Sequence, residues 1–395
     1  MPSTSTKALR ARARQVFVIS AITLVTTLVI GELGLRIVGY EDPPIYRQDA
    51  RLGWVARANL TTRWREEGDT TVSFNSAGMR DVEHAIAKAP GVYRIAVMGD
   101  SYTEALQVDH DKAFSTLLER ELEGCPARNG RRIETLNFGV SSYGTANELL
   151  RLEDQAFEYG PDLVLLAFFV GNDVQDNHPK LDHLTVKNRP YFEMRDGALT
   201  LVPPPGLSGA RALWQSVLPH SRTAQLAERV RKNRASRDAA TASPTVLEAG
   251  IPGELFKTAL PPVWEEAWRV TEELLIRMKQ EVAEKRSSLL IATIADGIAI
   301  HPDDDIRRRF LAQVGGDDLF APDIRVAEIA KRHDIPNLDL GPPMLAQAKE
   351  SKACLHGLPN RAKCSGHWNE MGHAAAAKLM GDEICARWRT GLAAP

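Results

Sequence analysis

Ser101 closes the stretch RIAVMGDSYT, in which an apolar run carrying Ile95 and Val97 stops at Gly99-Asp100-Ser101 and helix-like text follows. This places a hydroxyl on a strand-to-helix turn, at the carboxyl end of what reads as a buried parallel strand. Open α/β sheets bind ligands at that edge, and the unpaired N–H groups of the new helix point there. A serine hydroxyl is a weak nucleophile until a positioned imidazole takes its proton. The oxyanion it creates then needs preorganised donors. Three other segments carry the required side chains: Asn137 through Gly139, Ser142 and Gly144 to Thr145; Gly171-Asn172-Asp173; and Gly366-His367-Trp368-Asn369. Together they predict Ser101 as nucleophile and His367 as base. The predicted oxyanion donors are the Ser101 N–H, an N–H of Ser142 or Gly144, and the Asn172 amide.

These groups need a scaffold that brings distant segments to one edge. Strands are expected at 94–99, 133–138, 162–169, 288–295 and 335–340. Helices are expected at about 103–123, 145–158, 263–285, 322–333 and 369–388. Strands rich in Val, Ile and Leu that alternate with helices predict a parallel five-stranded sheet covered on both faces. The rhythm breaks over about 175–262. There Pro190 to Phe192 and Leu199 to Val202 suggest a small β excursion, 209–235 looks helical, and Ala235 to Pro252 reads as a polar linker. Arg229, Arg231, Lys232, Arg234 and Arg237 crowd the end of that helical stretch and read as a solvated face. Residues 36–92 read as a connecting segment with short strands near Trp54, Trp64 and Thr71 to Phe74.

The chain has 395 residues, 25% of them charged, and a net charge of −2. No basic field for nucleic acid arises from such a balance. No zinc-spaced Cys/His set, Walker loop or G-x-G-x-x-G is present. At the N-terminus, Lys7, Arg10, Arg12 and Arg14 form a basic tail over 1–14. An apolar stretch follows over 15–35, whose only charge is Glu32. Val16 to Leu35 would span about 30 Å as a helix. No small-x-small cleavage site follows, so the stretch is expected to be an uncleaved signal anchor in a bacterial inner membrane. Basic residues before it predict a cytoplasmic N-terminus and a periplasmic body. The four cysteines are an even number and fit an oxidising compartment. Three connectivities are possible: Cys354 and Cys364 could close a short surface loop, and Cys125 and Cys385 could join helices on one face of the sheet. Four reduced, buried thiols are the alternative to any bridge.

Gly-Asp-Ser at 99–101, Gly-Asn-Asp at 171–173 and His367 resemble blocks of the SGNH, or GDSL-type, hydrolase superfamily. The wider text NFGVSSYGTANELL, PDLVLLAFFVGNDVQDN and HWNEMGH is similar to its bacterial membrane-anchored members. The resemblance covers roughly 93–180 and 265–388. It implies a flavodoxin-like three-layer α/β/α sandwich within 93–390, and ester or acyl-group chemistry without metal or cofactor. The partner it implies is an acylated small molecule, glycan or lipid of the cell envelope. An O-acyltransferase with the same site is one alternative, and a non-catalytic acyl-glycan-binding relative another. Two positions depart from the family. Ser142 stands at the usual oxyanion glycine, and Cys364 and Ser365 stand where the triad acid is usual. Without that acid, His367 would be held by a backbone carbonyl or by a distant carboxylate, for which Asp339 and Asp303 to Asp305 are candidates, or the site would be weak. Asp100 and Asp173 read as structural carboxylates, Asn369 as a helix cap and His373 as a surface histidine. Trp368 could either line a pocket or pack.

Overall fold

The computed structural model describes residues 4–182, 188–242 and 251–391. They form two compact units, Met1–Ile45 with Leu207–Pro244, and Tyr46–Gly206 with Thr245–Pro395. Five parallel strands build the core of the second: β1 (Val92–Gly99), β2 (Arg132–Asn137), β3 (Leu163–Phe169), β4 (Ser288–Ile294) and β5 (Asn337–Asp339). Their order is β5-β4-β3-β1-β2. All eight residues of β1 and all seven of β3 are buried, as expected of strands covered on both faces. Arg94 is buried within β1 because Glu134 on β2 meets its guanidinium at 2.8 Å.

Among the described residues, eleven α-helices follow in chain order. They are α1 (Thr4–Ile37), α2 (Ser101–Glu104), α3 (Phe114–Glu123), α4 (Thr145–Asp154), α5 (Gly209–Val217), α6 (Arg222–Ala242), α7 (Pro262–Glu284), α8 (Asp304–Val314), α9 (Ala321–Arg332), α10 (Gly341–Ser351) and α11 (Glu370–Arg389). One face of the sheet carries α3 and α11, joined by the disulfide Cys125–Cys385. The other carries α4, α7 and α9, linked side by side through Arg277 with Glu153 and Arg332 with Glu272. This is the expected three-layer α/β/α sandwich.

Several local expectations need correction. The helix foreseen at 103–123 is broken into α2 and α3, because Ala105 takes a left-handed φ of 54° and ends the first turn. The stretch 209–235 is two helices, split at Leu218 to Ser221. Residues 235–242 of the foreseen linker continue α6, and 243–250 lie outside the described residues. Helices α8 and α10 were not foreseen. The second disulfide is Cys354–Cys364, so the described cysteines are all paired.

The segment 36–92 does more than connect. From Tyr46 onward it belongs to the sandwich unit, and its strands form two hairpins, Tyr46–Asp49 with Gly53–Ala56 and Thr61–Trp64 with Thr70–Ser73. Thr70 Oγ1 donates to the Leu106 carbonyl, and Arg80, itself buried, donates to the carbonyls of Glu104, Ala105 and Val108. The second hairpin is thereby fastened to the loop that follows α2. In the other unit, α1 includes a stretch, Arg12–Ile37, long and apolar enough to cross a membrane, and none of it is buried.

Candidate active site

Asp100 and Ser101 sit where β1 ends. The Asp100 carboxylate accepts the Tyr102 N–H and caps α2, which fixes the turn that presents Ser101. Its second oxygen accepts from Asn172 Nδ2 at 3.0 Å, so the same carboxylate ties the end of β3 to the end of β1. Burial pushes the Asp100 carboxyl up, to about 6, against the Tyr102 N–H and nearby His367, which favour its charged form. Asp173 accepts the Phe169 N–H and is structural as expected.

The second loop packs onto α2, the helix that Ser101 opens. Gly139 is required there, because a Cβ would lie 2.4 Å from the Glu104 nitrogen. Glu104, three residues beyond Ser101 and fully buried, accepts from the Ser141 N–H at 2.8 Å and from the Ser141 and Tyr46 hydroxyls, both at 2.5 Å. Ser142 has a left-handed φ of 62°, the conformation in which glycine is least strained. Its carbonyl accepts from Arg189, so the strained peptide is held from behind. Gly144 leads into α4. Ser142 and Gly144 thus lie on the loop that Glu104 holds against α2.

His367 reaches the same edge from the loop before α11. Its Nε2 is 2.7 Å from Ser101 Oγ. Its Nδ1 is 2.5 Å from Glu67 Oε2, and its backbone N–H donates to Glu67 Oε1 at 2.8 Å. An ionised carboxylate only accepts, so the proton sits on Nδ1 and Nε2 is left to accept from Ser101. Burial pushes the Glu67 carboxyl up, yet the hydrogen bonds and charge of His367 outweigh it, and the acid titrates below its ordinary value.

Glu67 is the group that the sequence did not point to. It lies at the tip of the Thr61–Trp64/Thr70–Ser73 hairpin, 5% exposed. Gly366 permits the contact, because a Cβ there would fall 2.2 Å from Glu67 Oε1 and its φ is 84°. Asn360, inside the loop closed by Cys354–Cys364, accepts the Gly68 N–H at 2.7 Å and donates to the carbonyls of Arg65 and Gly68. One signal was available: an acidic turn, Glu66-Glu67-Gly68-Asp69, between two alternating stretches, in a chain whose usual acid position is empty.

The carboxylates considered earlier lie elsewhere. Asp339 accepts the Gly341 N–H, Asp303 caps α8, Asp304 pairs with Lys349 and Arg307, and Asp305 with Arg308. His373 is buried rather than a surface histidine, with Nδ1 facing the Phe114 N–H at 3.3 Å. Trp368 packs: it is fully buried against Tyr102 and Phe114. Asn369 caps α11, as expected. Among the described residues, His301, Cys354 and Cys364 form one group close enough to share a metal ion. Both sulfurs are in a disulfide and offer no thiolate.

Similar solved structures include the acetyl xylan esterase AlAXEase, at 14% identity over 74% of this chain and 99% of that one, with a TM-score of 0.37. The lipase/acylhydrolase from Enterococcus faecalis is similar at 13% identity over 75% and 96%, TM-score 0.36. A catalytic mutant of an acetylxylan esterase from Geobacillus stearothermophilus matches at 13% identity over 74% and 94%, TM-score 0.37. No family model and no curated protein matches the chain. The chemistry is therefore read from the contacts of Ser101, His367 and Glu67.

Proposed function

We propose that the chain is an ester hydrolase of the SGNH type with a Ser101–His367–Glu67 triad. One observation carries the reading: a single imidazole bridges the Ser101 hydroxyl at 2.7 Å and a buried carboxylate at 2.5 Å. Ser101 Oγ attacks the ester carbonyl as its proton passes to His367 Nε2, and Glu67 holds the ring's tautomer and stabilises the imidazolium. The oxyanion is received by the Asn172 amide, the Ser101 N–H and an N–H of Ser142 or Gly144. Imidazolium then protonates the departing alkoxide. Water, deprotonated by the same ring, releases the acid and restores the serine.

Glu67 removes the motive for a non-catalytic reading, which was the lack of a carboxylate at Cys364 and Ser365. The apolar stretch of α1 supports an anchor in the inner membrane through residues 15–35, and the basic residues before it support a periplasmic catalytic unit. Acylated glycans or lipids of the envelope are the substrates consistent with that location. A fluorophosphonate probe tests the nucleophile. Labelling of the parent that vanishes in Ser101→Ala supports the reading; a folded parent that takes no label at any pH sinks it.

A further inference from the structure

Helix α5 has nine residues and none of them is buried. Ala210, Leu213, Trp214 and Val217 recur at helical spacing on one side, with Leu213 67% exposed, Trp214 38% and Val217 40%. No described residue of its unit buries that stripe. A helix this short has little stability of its own in water, so its position and its partner must come from elsewhere.

Its position is fixed by α1. Glu32, the only charge in the apolar run, accepts from the backbone N–H groups of Arg222 and Thr223 and from the hydroxyls of Ser221 and Thr223. The start of α6 is thus capped by a side chain of the candidate span. Arg36, paired with Glu32 at 2.8 Å, donates to the His220 carbonyl in the joint between α5 and α6. Thr223 lies so close to the span that a Cβ on Gly31 would be 3.3 Å from its methyl. Further out, Arg229 grips Asp42 with two hydrogen bonds. Glu32 stands three residues before Leu35, where the apolar run ends, or about 5 Å along the axis. The joint at 218–221, and α5 just before it, are therefore held at the boundary where the span leaves hydrocarbon.

We infer that α5 is an interfacial helix, lying in the headgroup boundary of the bilayer that α1 crosses, with Leu213, Trp214 and Val217 immersed. The inference rests on reading α1 as a membrane span. The occupant follows from continuity, because the uncovered stripe is tied to a helix whose own uncovered surface is apolar. Trp214 suits that depth, since its ring is apolar and its indole N–H is polar. Arg211, exposed on α5, suits the anionic headgroups beside it.

The test uses the full chain with both disulfides oxidised, in vesicles of phosphatidylethanolamine and phosphatidylglycerol. One cysteine is added per variant and labelled with an NBD fluorophore: Leu213→Cys or Val217→Cys on the stripe, Ala212→Cys on the exposed opposite side, and Leu24→Cys within the span. Nitroxide lipids should quench Leu213→Cys and Val217→Cys, more with a shallow nitroxide than a deep one. Ala212→Cys should instead be quenched by aqueous iodide. Stripe labels that behave like Ala212→Cys overturn the inference, as does a stripe shielded from iodide yet untouched by lipid quenchers, which would mean a protein partner. If Leu24→Cys is itself unquenched, the anchor reading fails and the inference fails with it. If only the stripe is unquenched, the inference fails alone.

Discussion

Glu67 makes two bonds to one residue, and each has a separable consequence. Its Oε2 orients the imidazole, and its Oε1 holds the His367 backbone. Glu67→Gln keeps the shape but can leave the wrong nitrogen protonated. We expect kcat to fall by about three to four orders of magnitude, with circular dichroism and the melting profile close to the parent's; a loss of less than tenfold would remove Glu67 from the triad. Gly366→Ala is expected to be worse for folding, because it adds a Cβ onto Glu67 Oε1 at a left-handed φ. A cost of about 1–3 kcal/mol is expected in urea titrations. The Ser101, Asn172 and His367 cluster was legible in the sequence because each lies on short, recognisable text beside an element boundary. Glu67 was not, since a carboxylate needs only to arrive, and the contact depends on how a hairpin folds back over the sheet rather than on spacing. His373 misled for the converse reason: a polar residue on a helix looks solvent-facing until its neighbours, Phe114 and Trp368, are placed around it.

The elements that carry the site hold one another through few side chains. The hairpin tip is clamped by Asn360 from a loop that Cys354–Cys364 closes, and the same loop meets the His367 carbonyl through the Gly357 N–H. Asn360→Ala should loosen acid and base together. We expect kcat to drop by about 10–100-fold, the scale of a small misplacement of reacting groups, with KM little changed in steady-state assays. An unchanged kcat would show that the hairpin is positioned without the clamp. The strands were legible because β3 is an unbroken apolar run and β1 is apolar from Ile95 to Met98. The break between α2 and α3 was not, because the left-handed turn falls at Ala105, a residue type that favours helix.

Across the whole molecule, two features set stability. Cys125–Cys385 joins α3 to α11 across 260 residues of chain. Replacing both cysteines by serine should cost about 2–5 kcal/mol in denaturant titrations, as loss of a long-loop bridge does, while activity at low temperature persists. The second is acid sensitivity. Burial holds His356 and His373 neutral, each titrating at about 3 in the folded protein against 6.5 when exposed. Between those values the unfolded chain binds the proton and the folded one does not, so each histidine favours unfolding as pH falls. His356→Phe should remove one such contribution. From about pH 6 down to 4, the parent should lose roughly 1.4 kcal/mol per pH unit relative to the variant; parallel stability curves would contradict this. The sandwich itself was legible in the alternation of strand and helix. The division of the chain was not, because 207–244 joins α1 through single contacts such as Glu32 with Thr223, which leave no periodic trace.

The order of the three groups along the chain has a temporal meaning. Glu67 is synthesised first, Ser101 next, and His367 300 residues after its carboxylate partner. A ribosome or a translocation channel releases them in that order. The hydroxyl therefore has no base during most of the chain's emergence, and the carboxylate hairpin has nothing to orient. On the proposed triad, the serine stays without its base until the loop before the last helix has brought His367 against it.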